Sequence, residues 1–471
     1  MSTTILKITS VLKINRFIRI VSRIIADMGI VWPFVFIWSK VIKEIVNDDK
    51  INPEEKVTLL VINPTRFGND PEILAKSKKI RILILPFDWL AKLLAIYWPS
   101  NLKSITNGDW GAYYNPSKYD NLDIISLQLS LRKFLSKFLK SLYKKLGIDA
   151  VISPGFHYKH NYDIGLVSKE IGTPYIVVQR ERFCAGVPNK ALFFNNLMRK
   201  CHKFKGSYIL LQDEETREFL INSGYVSPDN IVTLGSLRMD DFGRRIKRIS
   251  NSDNKSFHRK FRPKVTLFSF TSSSGLKSEL RTKTFPTEPG VGYQKLFANV
   301  HASIAKLAMK NKDIDFVIKI KWRGIWLESI KRVCRDEGLD VRRISNLTIT
   351  DNVNAHDLIL NSDVICAFSS LTLLESAISK KPVIIPFFDE ALRPEYQEAM
   401  SFFKYYYLFD CAGSRNEFEN LIIERLTNPG PKLNAEYISK KYEAFEKHVG
   451  PLDGNILEKH EEWISRIIKN K

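Results

Sequence analysis

The stretch from residue 363 to residue 386 reads in order as a strand, a turn, a helix and a second strand. Its first apolar run, residues 364–368, is typical of a strand buried on both faces of a parallel sheet. The hydroxyl pair Ser369-Ser370 then opens a helical segment, and a short basic loop leads into the apolar residues 383–386. Because parallel strands need a long crossover connection, this stretch commits the chain to a βα architecture.

The hydroxyl pair Ser369-Ser370 lies where the first strand ends and the helix begins. The helix dipole is positive at that end, so hydroxyls and backbone amides there favour an anion, and we expect a phosphate at Ser369, Ser370 and Thr372. A capping box between Thr372 and Glu375 is an alternative that explains these two residues without a ligand. It does not explain the hydroxyl pair, which falls at a strand's carboxyl end, where open α/β sheets bind ligands.

The same alternation of apolar runs and helical stretches continues along most of the chain. Predicted strands cover residues 57–62, 80–85, 150–153, 175–178, 207–211 and 230–234, and then residues 265–270, 316–321, 347–350, 363–368 and 382–387. This pattern predicts an α/β fold with two Rossmann-like domains whose parallel sheets face a cleft between them. A chain of 471 residues also exceeds what one hydrophobic core usually supports.

The predicted domain boundaries follow changes in composition. We assign residues 1–50 to a basic amphipathic N-terminal segment, 51–245 to the first Rossmann-like domain, 246–262 to a linker, 263–430 to the second Rossmann-like domain and 431–471 to a helical tail. The linker is basic, rich in Ser and Asn and poor in apolar residues. Clefts between domains are usual binding places for small molecules, so we expect a small-molecule ligand between the two domains.

The chain is strongly basic, with 72 Lys and Arg against 51 Asp and Glu, a net charge of +21. Such a charge attracts phosphorylated ligands, nucleic acid or an anionic bilayer. Nucleic acid is the least favoured of these, because RNA readers interleave exposed aromatic residues with basic ones, whereas the aromatic residues here lie within apolar runs. Five cysteines without a CxxC pair indicate reduced thiols and a cytoplasmic protein.

The N-terminal segment alternates basic residues with Ile, Val, Phe and Trp between residues 11 and 46. Its longest uncharged run, residues 28–39, has 12 residues and contains Pro33, too short to span a bilayer. Trp32 and Trp38 with basic flanks suit a helix lying on anionic lipid at the inner face of the cytoplasmic membrane. A helix packed on the first domain is an equally weighted alternative.

Two further sets of polar residues follow predicted strands of the second domain. Ser272 and Ser273 belong to a hydroxyl and glycine turn, residues 271–275, that can wrap a phosphate. Lys319 and Lys321 alternate with isoleucines on one strand, so both face the same side. Two cations on an otherwise buried strand need a negatively charged partner. An edge strand with a solvated face is the alternative for the two lysines. Together with the hydroxyl turns, we favour a nucleotide phosphate.

These residues support a resemblance to a known family. Residues 361–370, 374–377 and 381–384 resemble the C-terminal nucleotide-binding signature of GT-B glycosyltransferases from bacterial surface-polysaccharide pathways, and residues 234–240 are similar to the Gly-Ser/Cys-x-Arg-x-Asp segment that closes their first domain. The group includes the β-Kdo transferases and the wall-teichoic polyol-phosphate polymerases. The resemblance covers about residues 150 to 390.

The resemblance implies a GT-B fold and transfer of a sugar from a nucleotide donor on the second domain to an acceptor on the first. Our hypothesis is a metal-independent enzyme that needs no further cofactor. By analogy, Ser369, Ser370 and Thr372 hold phosphate and Glu375 holds a ribose hydroxyl. Many relatives carry Lys-x-His-Pro where this chain has Lys319-Ile320-Lys321-Trp322, so Lys321 or Arg323 is expected to replace the imidazole. Epimerases of this fold carry Asp-Ser-Gly-Gly where this chain has Ala367-Phe368-Ser369-Ser370, which disfavours epimerisation.

Transfer needs a general base or a carboxylate nucleophile. Asp240 and Asp241 follow a predicted strand, Glu181 follows another, and His157 lies in a loop after a third. Each acidic residue has helix capping or an ion pair as its alternative role. His157 and His160 lack a third ligand nearby, so no metal site is expected.

Arginines in the first domain point to an acidic sugar. Arg180 and Arg182 flank Glu181 and can hold a sugar carboxylate through two parallel hydrogen bonds, with Arg238 as a further candidate for the sugar or acceptor. The sequence therefore predicts a glycosyltransferase that moves a CMP-linked acidic sugar such as Kdo to a capsule or lipopolysaccharide glycan or glycolipid. Polyol-phosphate transfer by the same architecture is the alternative.

Overall fold

The computed structural model describes residues 16–46, 56–105, 113, 122–180, 203–251, 262–274, 276, 285, 286 and 288–469 of the 471-residue chain. These residues form two compact units. The first unit contains the described residues up to 180 together with 203–241 and 452–469, and the second contains those between 242 and 451.

The elements are numbered along the chain. The strands are β1 (Lys43–Glu44), β2 (Val57–Val61), β3 (Ile80–Ile84), β4 (Ala150–Ser153), β5 (Tyr175–Val178), β6 (Tyr208–Leu211), β7 (Ile231–Thr233), β8 (Lys264–Phe268), β9 (Asp315–Lys319), β10 (Leu347–Thr350), β11 (Val364–Ala367), β12 (Val383–Pro386) and β13 (Asp410–Ala412). The helices are α1 (Arg16–Asp27), α2 (Trp32–Val41), α3 (Pro64–Phe67), α4 (Asp70–Leu74), α5 (Phe87–Ala95), α6 (Leu102–Ile105), α7 (Leu122–Leu146), α8 (Tyr162–Glu170), α9 (Glu214–Asn222), α10 (Met239–Asn251), α11 (Gln294–Lys310), α12 (Ile325–Asp336), α13 (Ala355–Asn361), α14 (Leu371–Ala377), α15 (Pro394–Gln397), α16 (Arg415–Thr427), α17 (Ala435–Val449) and α18 (Ile456–Lys469).

The sheet of the first unit has the order β1-β3-β2-β4-β5-β6-β7. All neighbours are parallel except β1, which runs antiparallel to β3 at one edge. Every residue of β4 and β5 is buried, as expected for strands covered by helices on both faces. Helix α7 buries Leu131, Phe134, Leu135 and Phe138, whose spacing of three and four residues places them on one face.

The sheet of the second unit has the order β10-β9-β8-β11-β12-β13, and all five pairs are parallel. Helix α11 packs against α12 and α16 and buries ten of its 17 residues. The predicted fold class, α/β with two Rossmann-like units built on parallel sheets, is therefore confirmed. The predicted cleft between the units stays a prediction.

The ends of the units fall at different residues from the predicted boundaries. The first unit reaches Asp241, whereas the sequence places the boundary at residue 245, and α10 continues through residues 246–251 of the predicted linker. The helical tail is divided, because α17 belongs to the second unit and α18 belongs to the first. The chain thus returns to the first unit after completing the second.

Helix α18 begins on a buried carboxylate of the first unit. Asp240 is only 1% exposed, and its two carboxylate oxygens accept the backbone amides of Ile456 at 2.8 Å and Leu457 at 3.0 Å. Further along the helix, Glu461 accepts hydrogen bonds from Ser77 and from Lys79 of the first unit. Since the first amides of a helix have no partner within it, Asp240 supplies the N-terminal cap of α18.

We expect Asp240→Ala to lower the free energy of unfolding by about 1–2 kcal/mol, because two buried amides lose their acceptor. Asp240→Asn keeps one acceptor oxygen and should lose less. The exposed Asp229 is the matched control, and Asp229→Ala should change stability by less than about 0.5 kcal/mol. Urea unfolding followed by circular dichroism measures all three variants; wild-type stability in Asp240→Ala would contradict the capping role.

Candidate functional site

The carboxyl ends of three adjacent strands bring polar residues together in the second unit. Phe268 pairs with Ala367 on one side and with Lys319 on the other, so β11, β8 and β9 end at the same level of the sheet. The residues that follow these strands therefore leave the sheet side by side. We call this region the carboxyl-edge site: residues 269–274, 319–323 and 369–375 together with His356.

Most hydrogen bonds of the turn after β8 are made between groups of the turn itself. The backbone amide of Thr271 donates to Ser274 Oγ at 3.0 Å, and Thr271 Oγ1 lies 3.4 Å from Ser273 Oγ. Ser272 and Ser273 are both buried, and the carbonyl of Ser272 accepts the amide of Tyr293 at 2.6 Å. These contacts fix the turn, and the phosphate contacts expected of Ser272 and Ser273 stay a prediction.

A buried histidine supports the start of this turn. His301 Nε2 lies 2.7 Å from Ser269 Oγ, while its Nδ1 lies 2.7 Å from the carbonyl oxygen of Phe297. Trp326 Nε1 donates to the same Ser269 oxygen at 2.8 Å. Burial lowers the pKa of His301 to about 4, so the ring is neutral at pH 7 and donates from Nδ1. The sequence analysis missed this trio because its three members lie on separate elements.

Strand β9 lies inside the sheet, so the edge-strand alternative is wrong for Lys319, and the strand ends at Lys319, before Lys321. Lys319 Nζ donates to the carbonyls of Ile320 at 2.8 Å and Asp351 at 3.1 Å, and burial lowers the pKa of Lys319. Lys321 is exposed, and the described part of the chain offers it no hydrogen bond or ion pair. Arg323 pairs with Asp351 at 2.8 Å. Lys321 is therefore the more available of the two cations expected to replace the missing imidazole.

The two serines after β11 have different surroundings. Ser369 has a left-handed backbone, with φ of 46°, and its Oγ accepts the amide of Ser401 at 3.0 Å. Ser370 is the N-cap residue of α14, yet its side chain makes no capping hydrogen bond and is half-buried, as is Thr372. Ser369 thus anchors the turn, while the hydroxyls of Ser370 and Thr372 lie at the surface of the carboxyl-edge site.

Glu375 does not form the capping box with Thr372 that the sequence allowed, because α14 begins at Leu371 after Ser370. The Glu375 side chain is 6% exposed, and its Oε2 lies 3.6 Å from His356 Nε2.

The imidazole of His356 stacks on Phe242, with the ring centroids 4.1 Å apart. The amide of His356 is accepted by Asn354, the cap of α13, at 2.8 Å. His356 was missed in the sequence, where Asn354 as a helix start was the signal that could have located it.

Helix α17 packs against α14 from within the same unit. Tyr442 donates to the carbonyl of Ile378 at 3.2 Å, just past the end of α14. The neighbouring Lys441 is buried, donates to the carbonyl of Lys432 at 2.8 Å and lies 5.2 Å from the ring centre of Phe409. Burial lowers the pKa of Lys441 from 10.5 to about 8, since the charged form is desolvated.

The lowered pKa of Lys441 makes stability depend on pH. Between about pH 8 and pH 10.5 the unfolded chain binds the proton that the folded chain has released, so this lysine makes the free energy of unfolding rise with pH across that range. We expect Lys441→Met to reduce this rise. Lys447→Met, on an exposed position of the same helix, is the control and should keep it. Urea unfolding at pH 7.5, 9 and 10.5 measures the difference, and equal slopes in wild type and Lys441→Met would refute it.

In the first unit, Arg180 is engaged by protein groups. Its guanidinium lies 3.0 Å from Asp70 Oδ1 and also contacts the carbonyl of Phe67. Asp70 is 4% exposed; burial raises its pKa, while the charges of Arg180 and Arg238 oppose that shift. Gly68 has φ of 60°, and a Cβ there would meet the Arg180 guanidinium. Arg180 therefore has the ion pair that was its alternative role, and its contact with a sugar carboxylate stays a prediction.

The remaining candidates of the first unit have different surroundings. Asp240 has the helix-capping role that was its alternative, and Asp241 is exposed. His157 follows β4 and is half-buried, with its ring centroid 4.2 Å from that of Tyr158. Glu181 and Arg182 lie outside the described residues. The catalytic assignments therefore stay predictions.

Comparisons with known proteins give only distant similarities. No family model matches the sequence, and no curated protein does. Similar solved structures include the UDP-GlcNAc 2-epimerase of Neisseria meningitidis bound to UDP-GlcNAc, with a TM-score of 0.45, 14% identity and coverage of 87% of this chain and 99% of that chain. The wall teichoic acid polymerase TagF has a TM-score of 0.41, 16% identity and coverage of 70% and 75%. HepE of Anabaena in complex with UDP and glucose has a TM-score of 0.40, 9% identity and coverage of 87% and 100%. At such values the similarity carries no argument about function.

Proposed function

We propose that this protein is an enzyme that binds a nucleotide-linked sugar at the carboxyl-edge site and transfers the sugar to an acceptor glycan. The observation that carries the proposal is the largely buried Glu375 carboxylate beside His356, on the helix that begins at the hydroxyls of Ser370 and Thr372. In this proposal the carboxylate oxygens of Glu375 accept hydrogen bonds from the ribose hydroxyls of the donor.

The phosphates of the donor have a matching set of partners. Lys321 contributes an exposed ammonium group, and the hydroxyls of Ser370 and Thr372 contribute uncharged donors. Thr372 and Glu375 are three residues apart in one helix, which makes them neighbours on its surface, about 5–6 Å apart between Cβ atoms. One nucleotide can therefore contact the hydroxyls through its phosphate and the carboxylate through its ribose.

Fewer residues support the identity of the transferred sugar than support nucleotide binding. The acidic sugar was inferred from Arg180 and Arg182, and the Arg180 guanidinium is occupied by Asp70. We keep a CMP-linked acidic sugar such as Kdo as one donor to test and add neutral UDP-linked sugars. Transfer remains favoured over epimerisation because Phe368-Ser369-Ser370 stands where epimerases of this fold carry Ser-Gly-Gly.

We expect Glu375→Gln to weaken nucleotide binding about 10- to 100-fold, because a charged acceptor becomes a neutral amide. Isothermal titration calorimetry with CMP, CDP and UDP measures the loss. Glu328→Gln, at an exposed position of α12, is the matched control and should bind as the wild type does. Equal affinity in Glu375→Gln and wild type, at unchanged melting temperature, would exclude Glu375 from the nucleotide site.

Product analysis tests the reaction itself. Wild-type protein incubated with CMP-, CDP- and UDP-linked donors, a glycan primer and a chelator should release the free nucleotide from one donor class and add one sugar to the primer, as read by mass spectrometry. Addition of a polyol phosphate from a CDP-linked donor would identify the alternative reaction. Conversion of UDP-GlcNAc into its 2-epimer, or no turnover of any donor despite tight nucleotide binding, would refute sugar transfer.

A further inference from the structure

Helices α1 and α2 expose an unusual amount of apolar side chain. The described residues include eighteen large apolar side chains that are clearly exposed, and nine of these lie between residues 17 and 37. Six of the nine are more than half exposed: Phe17, Ile18, Ile24, Met28, Trp32 and Phe36. We call these six residues the N-terminal apolar surface. Apolar surface concentrated in this way marks an interaction site rather than scattered exposure.

The N-terminal apolar surface is held on the first unit by packing on its other side. Phe34 contacts Phe134 with ring centroids 5.1 Å apart, and Trp38 contacts Trp89 at 5.4 Å. At the end of α1, Asp27 accepts a hydrogen bond from Tyr97 at 2.8 Å. The helix alternative of the sequence analysis is thus correct for one face of α2, while its opposite face and most of α1 are exposed.

Basic residues surround this surface. Residues 16–43 contain five Lys and Arg and one Asp, a net charge of 5 − 1 = +4. From α7, Lys145 lies 5.6 Å from the ring centre of Phe36, and Lys137 lies against Gly29. Apolar side chains with a Trp among them, rimmed by cations, complement the interface of an anionic bilayer, where the chains enter the headgroup region and the cations meet lipid phosphates.

The helices are individually short. With 12 and 10 residues they are about 18 and 15 Å long, against about 30 Å of hydrocarbon. No single helix among the described residues is long and apolar enough to cross a membrane; α1 and α2 meet the criteria only as a pair, which is bent by 120°.

We propose that α1 and α2 lie on an anionic bilayer through the N-terminal apolar surface and its basic rim. This inference concerns the first unit and does not depend on the proposed function.

Vesicle flotation of the full-length protein tests the proposal. We expect at least tenfold more protein on vesicles of phosphatidylcholine and phosphatidylglycerol (7:3) than on phosphatidylcholine alone, with much of it released as salt rises from 0.1 to 0.5 M. The variant Ile18→Glu/Ile24→Glu/Trp32→Glu should lose at least tenfold in binding. The variant Ile325→Glu/Val353→Glu/Leu392→Glu, at exposed apolar positions of the second unit, is the matched control and should bind as the wild type does.

A second variant tests the contribution of the basic residues to binding separately from that of the apolar side chains. Its melting temperature shows whether it is folded. Lys40→Ala/Lys43→Ala/Lys145→Ala should weaken binding to the anionic vesicles severalfold and leave the melting temperature unchanged. Equal binding by all variants would overturn the proposal. So would retention on vesicles through high salt and alkaline carbonate, which indicates a span, or a wild-type dimer in solution that the Glu variant abolishes, which assigns the surface to a second copy of the chain.

Discussion

Parallel pairing of β8 with both β9 and β11 determines where this molecule can do chemistry. One residue, Phe268, is in register with Lys319 on one side and Ala367 on the other. All three strands therefore end together, and their following loops must share one edge of the sheet. A shift of register on either side would separate the lysines from the hydroxyl pair by the length of one or more residues. The carboxyl-edge site is thus a consequence of backbone hydrogen bonding before any side chain contributes.

The polar residues of the carboxyl-edge site fall into two groups. His301 and Trp326 hold Ser269, and the Ser369 hydroxyl holds the amide of Ser401, so these groups give the loops a fixed shape. Ser370, Thr372 and Lys321 have no such structural bonds among the described residues. A preorganised binding site needs fixed loops that carry side chains able to bind a ligand. Here the loops are fixed by hydrogen bonds, and the hydroxyls of Ser370 and Thr372 and the ammonium group of Lys321 are the side chains that can bind.

The sequence predicted the elements that carry a strong local pattern. Continuous apolar runs located β2, β4 and β5, whereas β1 and β13 were missed because their sequences, Lys-Glu and Asp-Cys-Ala, contain charged residues instead of an apolar run. The structural partners of candidate residues were not predicted where those partners are remote in sequence. Asp70 precedes Arg180 by 110 residues, and Asp240 caps a helix that starts 216 residues later. Residue type and local spacing contain no record of such partners, so a free arginine and a paired one look alike.

The return of the chain to the first unit has a consequence for co-translational folding of that unit. Helix α18 is translated after the whole second unit, yet its first amides are the partners of Asp240. Until α18 emerges, Asp240 lacks these two amide partners, and Ser77 and Lys79 lack their contacts with Glu461. The last contacts of the first unit therefore form only after the second unit has been translated.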